Sequence, residues 1–128
     1  MNKESYFLLF ASALIFPVAL SAIAYPTTIL PFVYNIEIAN NNLANIFRAV
    51  MGFYLASSIF WIAGALNQAL RLAALWSLFI FDIGIGTGRA LSIVLDGMPD
   101  SIFLIYLCLE IVGSAIAFWL IKGMQKTG

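Results

Sequence analysis

The chain has 128 residues, 63% of them hydrophobic and 9% charged, with six basic and six acidic side chains and no histidine. A soluble domain is roughly 45–50% apolar and about 25% charged, and a globule this small keeps too much of its chain near water to hide such a surface, so composition excludes an ordinary soluble fold. Zero net charge without a basic cluster leaves nucleic-acid binding no electrostatic footing, and the lack of histidine removes the commonest metal ligand, general base and haem ligand.

Four apolar stretches follow one another: about Tyr6 to Tyr25, Leu43 to Leu66, Leu70 to Leu95 and Ser101 to Ile121. Each reaches the roughly 20 residues that a helix needs to cross about 30 Å of hydrocarbon. Helices are expected because a span must satisfy its backbone groups internally, and the runs lack the alternation of a membrane barrel. The expected fold is an all-α integral membrane protein, a four-helix antiparallel bundle forming one membrane domain over residues 1–128. The first run has the basic flank of a signal peptide, with Ala22-Ile23-Ala24 resembling a cleavage site. It is longer than a usual signal core, and Glu4 cancels Lys3, so it reads as a retained span.

Pro26 ends the first span. The loop to Asn42 contains Pro31 and an apolar, partly aromatic segment from Ile29 to Ile38, suited to the interface as a short helix or turn. Asn42 reads as the N-cap of the second span. Asn67-Gln68 makes a tight hairpin between spans two and three. Asp96-Gly97-Met98-Pro99-Asp100 has turn composition, with Asp100 or Ser101 capping the last span. In this arrangement Lys3, Arg71, Lys122 and Lys126 fall on one side, and Glu37, Asp96 and Asp100 on the other. Basic loops stay in the cytoplasm, so both termini are expected there.

Arg48, Asp82, Arg89 and Glu110 remain inside the spans. A charge at the bilayer centre costs about 2.5–3.5 kcal/mol on insertion scales, so such groups normally face inward and pair. At about 1.5 Å per residue, Arg48, Arg89 and Glu110 lie about 7, 9 and 13 Å inside the outer ends of their helices. Side chains lean toward a helix's own N-terminus. Arg89 therefore leans toward Glu110, and Arg48 toward the level of Asp96, which predicts those two pairs. Asp82 sits near mid-span without an obvious partner. It is expected either to stay protonated or to bond a serine, a tyrosine or water.

Small-xxx-small pairs, which allow close helix approach, occur at Gly84 with Gly88, Gly52 with Ala56, and Gly113 with Ala117. Glu110, Gly113 and Ala117 share a face, as do Arg48 and Gly52, so spans two to four are expected to meet around the charges. The first span, with Ala13, Pro17 and Ser21 on one face, reads as a packing partner. Trp61, Trp76 and Trp119 lie toward the cytoplasmic halves, as in an interfacial belt. Cys108 reads as a small buried hydrophobe. Gly84-Ile85-Gly86-Thr87-Gly88-Arg89 imitates a phosphate loop, but it follows no strand and lies inside a span.

The order Arg48-Ala49-Val50-Met51-Gly52, Gly88-Arg89, Asp96-Gly97-Met98-Pro99 and Glu110 resembles the bacterial four-helix membrane family known as domain of unknown function 4345. The resemblance runs from the second span to the end, with the first span matching in character. It implies a multi-pass protein of the bacterial inner membrane, with Arg48, Gly52, Gly88, Arg89, Asp96, Gly97, Pro99 and Glu110 as signature positions. Asp82 is outside that pattern, and the resemblance implies no activity.

Three function classes stay open. The first is a binding or accessory protein whose Arg48, Asp82, Arg89, Asp96 and Glu110 cluster holds a lipid, a quinone-like molecule or a partner in the outer half of the bundle. The second is a small oligomeric proton-coupled transporter, although the small multidrug transporters carry an acid within their first span and the run from Tyr6 to Tyr25 has none. The third, an enzyme, would need carboxylate chemistry from Glu110, Asp82 or Asp96, and nothing marks a nucleophile. No catalytic residue, metal site or cofactor is expected. The bilayer is the expected partner, with a homo-oligomer or a membrane complex as further options.

Overall fold

The computed structural model describes residues 1–127. Asn2 accepts a hydrogen bond from the Ser5 backbone N–H at 3.0 Å and so caps α1 (Lys3–Ala24). Pro26 has no N–H to continue that ladder. It opens instead a short helix, α2 (Pro26–Tyr34), within the segment expected to be a helix or turn. Asn35 ends α2 with φ at 55°, a left-handed conformation that asparagine tolerates better than most residues.

The cap of α3 (Asn41–Leu66) is Asn40 rather than Asn42: its side chain accepts from the Leu43 N–H at 3.0 Å. Three asparagines in a row offer equivalent caps, and the first that extends the helix takes the role. Asn67 then serves two helices. Its N–H closes α3 onto the Ala63 carbonyl, and its side chain accepts from Ala69 N–H, opening α4 (Gln68–Asp96). Gly97, with φ at 97°, ends α4 in a conformation that favours glycine. The last helix, α5 (Ser101–Thr127), continues beyond Ile121. Lys126 in its final turn suits the negative end of the helix dipole.

Helices α1, α3, α4 and α5 are long and apolar enough to cross a membrane. Among the described residues there is no strand, and the fold is an all-α membrane bundle. The helices pack in series: α1 on α3, α3 on α4, α4 on α5, while α1 and α5 share no comparable seam among the described residues.

The packing is uneven along the bundle. One end carries the start of α1, the end of α5 and the Asn67 turn. There, Leu8, Trp61, Ala74, Leu75, Leu120 and Ile121 are each at most 2% exposed. Toward the other end, which carries α2 and the Gly97 turn, the walls thin out. Helix α3 buries nothing before Ser58, and α5 nothing before Ser114.

Several expectations are corrected. Trp61 belongs to this core, donating from Nε1 to Ser77 Oγ at 3.0 Å, whereas Trp119 is exposed. Cys108 is exposed on the outer face of α5. A Cβ at Gly52, Gly84 or Gly88 would meet nothing within 4 Å, so none of the three is a point of close helix approach. The close approach comes at Gly64, where an added Cβ would collide with that of Ala74. Arg71 covers the end of α3 beside it, donating to the Gly64 and Ala65 carbonyls at 3.2 and 3.0 Å.

A lateral cleft holding an Arg–Glu pair

Because α1 and α5 diverge above the core, the bundle encloses a cleft of about 520 Å³. Leu14 and Val18 of α1 face Leu109, Val112 and Ile116 of α5 across it. These lip residues are themselves half-exposed, as expected of an opening toward lipid. The floor is aromatic. The ring of Phe81 lies 5.0 Å from Trp61 and 4.8 Å from Tyr54, both edge-on.

The polar part of the wall comes from α4 and α5. Arg89 Nε donates to both oxygens of Glu110, at 2.9 and 3.1 Å. The lean of the two side chains toward one another, expected from helix direction, is what closes this gap. Gly86, one turn before Arg89, lets Glu110 lie against α4, its Cβ position being 3.5 Å from Glu110 Cβ. The guanidinium carbon stands 5.4 Å from the ring centre of Tyr106 and 5.8 Å from that of Phe103, within cation–π range. Among the described residues, neither terminal nitrogen of Arg89 has a hydrogen-bond partner.

Helix α2 roofs the cleft. Leu30 is buried and Phe32 exposed, so the i, i+4 face of the helix puts Tyr34 inward. The Tyr34 hydroxyl lies 2.9 Å from that of Tyr106, and its ring stacks on Phe103 with centres 5.6 Å apart. Burial, and then the bond to Tyr106, push the Tyr34 hydroxyl above its ordinary range.

Asp82 also lines the cleft, two turns from Arg89, with its carboxylate against Gly113. A larger residue at Gly113 would strike it. Neither an ion pair nor a bond to a serine or tyrosine reaches Asp82 among the described residues.

Arg48 and Asp96 are not brought together. Arg48 Nε donates at 3.2 Å to the Ile23 carbonyl, in the last turn of α1, where carbonyls lack intrahelical partners and the dipole is negative. Asp96 accepts from Ser92 Oγ at 2.9 Å on its own helix. Both are exposed, as are Gly97 and Pro99 in the turn beyond. The polar cluster is therefore Asp82, Arg89 and Glu110, and the charges gather on α4 and α5 rather than on α3 as well.

Sequence reasoning missed Tyr34, Tyr54 and Tyr106. The signal was there in part: Tyr106 lies one turn before Glu110, and a tyrosine in a span needs a partner for its hydroxyl. No three or more His, Cys, Asp or Glu side chains stand close enough to hold a metal among the described residues.

The model of a family described as a domain of unknown function (DUF4345) matches residues 4–121. No curated protein and no solved structure matches the chain.

Proposed function

The chain therefore belongs to that family, and we propose that it is a protein of the bacterial inner membrane, as the resemblance implies, and that it binds a lipid-like molecule in the cleft between α1 and α5. One observation carries this reading: an apolar cleft of about 520 Å³ with the Arg89 guanidinium in its wall. Small-molecule sites have about 300–1,000 Å³, mostly apolar lining and a few convergent polar groups. Buried charges inside spans are costly and mark functional sites by default.

Both termini are cytoplasmic in this reading. Lys3, Arg71, Lys122 and Lys126 cluster at the end that carries the Asn67 turn, and Glu37, Asp96 and Asp100 at the other. A reporter active only outside the cytoplasm should stay silent after Lys126 and become active when inserted at Glu37. The reverse pattern would invert the topology.

Native mass spectrometry tests the binding. Protein released in mild detergent should carry an apolar molecule that is lost in Val50→Trp, which fills the cleft. An empty wild-type protein that no added amphiphile stabilises would end the proposal.

One observation favours a second reading, a proton-coupled transporter. Asp82 places a carboxylate beside the cleft without a cationic partner among the described residues. That reading requires proton-driven flux in proteoliposomes that Asp82→Asn abolishes.

A further inference from the structure

Resting on the binding reading, we infer that the ligand carries an uncharged carbonyl-type acceptor at the end of its apolar body. The argument is a balance of charges and donors in the cleft. Arg89 and Glu110 cancel each other in their ion pair. Asp82 is the remaining charged type in the wall; ionised it adds negative charge, protonated it adds none. In neither state is the cleft positive. An anionic head would bring a further negative charge into an apolar site already holding carboxylates, and an uncompensated buried charge is strongly unfavourable.

The donor count runs the other way. A guanidinium has five N–H donors in a fixed fork, and Arg89 spends its Nε–H on Glu110. Its terminal N–H groups have no acceptor among the described residues. The Tyr34 and Tyr106 hydroxyls share a single hydrogen bond, which uses one of their two protons. The outer wall is therefore rich in donors, next to the exposed lip. A neutral acceptor uses those donors and adds no charge. A cationic head would set its charge against the guanidinium.

Two sources have this chemistry: an isoprenoid-type quinone and an acylglycerol ester. The experiment measures binding to the purified, detergent-solubilised full chain by the shift in Tm, using four amphiphiles with similar short apolar tails. These are a decyl-benzoquinone, dioctanoylglycerol, decanoate and decyltrimethylammonium. The inference expects stabilisation by one or both neutral carbonyl compounds, and which of the two acts identifies the source. Arg89→Lys keeps a cation for Glu110 but loses the planar fork, and should weaken neutral binding about tenfold or more. Arg89→Gln serves as the second variant, and Gly84→Ala, which lies outside the cleft and whose added Cβ meets nothing within 4 Å, as the control that keeps the fork.

Preference for decanoate or for the ammonium compound overturns this inference and leaves the binding reading standing. Neutral binding that Arg89→Lys leaves unchanged also overturns it. If no amphiphile stabilises the protein, the binding reading itself has failed.

Discussion

Arg89 holds both oxygens of Glu110 with a single N–H, at 2.9 and 3.1 Å, across the seam between α4 and α5. That geometry fixes the register of the two helices while turning the rest of the guanidinium toward the cleft. The pair is partly shielded, with side-chain exposures of 25% and 11%. Removing one partner strands the other in apolar surroundings, whereas exchanging the two keeps the charge balance.

Glu110→Gln should accordingly destabilise the protein by about 1–3 kcal/mol, and the Arg89→Glu/Glu110→Arg exchange should recover part of that loss. Unfolding in a mixed-micelle denaturant titration measures both. Equal losses in the single and the exchanged variants would show that the two side chains are not energetically coupled.

Arg48 and Asp96 should behave independently. Each bonds elsewhere, so the losses in Arg48→Ala and Asp96→Ala should add within about 0.3–0.5 kcal/mol. A double-mutant cycle showing coupling well above that range would contradict the observed partners.

The glycines separate into two kinds. Gly64→Ala meets the Cβ of Ala74 and should cost about 1–3 kcal/mol by overpacking. Gly84→Ala and Gly88→Ala point into open space; they should be neutral or stabilising by up to about 1 kcal/mol through helix propensity. Thermal unfolding of the three variants decides the matter.

Tyr34→Phe removes one hydroxyl of the Tyr34–Tyr106 pair and should cost about 0.5–1.5 kcal/mol. The larger effect should be local. Hydrogen exchange ought to speed up across α2 with little change in the α3–α4 core, and uniform acceleration would mean that α2 is not a separate roof.

Much of the fold could be read from the residues because continuous apolarity over some 20 positions has few physical outlets. Proline, asparagine and glycine at the ends marked the turns. The short helix α2 was legible only as a choice between helix and turn, since nine residues carry too little periodicity to decide. The Arg89–Glu110 pair followed from depth along the span and helix direction together. Arg48 did not, because its acceptor is a backbone carbonyl of α1, and every helix end offers such carbonyls without a signature in side chains. Gly52, Gly84, Gly88 and the buried Trp61 were misread for a related reason. In a span that is apolar on all sides, composition does not say which face meets protein and which meets lipid.

The spacing of the ion pair also sets a clock. Arg89 and Glu110 are 21 residues apart in sequence, and chains are made N-terminus first at about 5–20 residues per second. Glu110 leaves the ribosome after Arg89, and until it does the guanidinium has no counter-charge. The cation must spend that interval in water, at the surface or in the insertion machinery. The α3–α4 hairpin, joined through Asn67 alone, therefore carries an unpaired cation until α5 arrives.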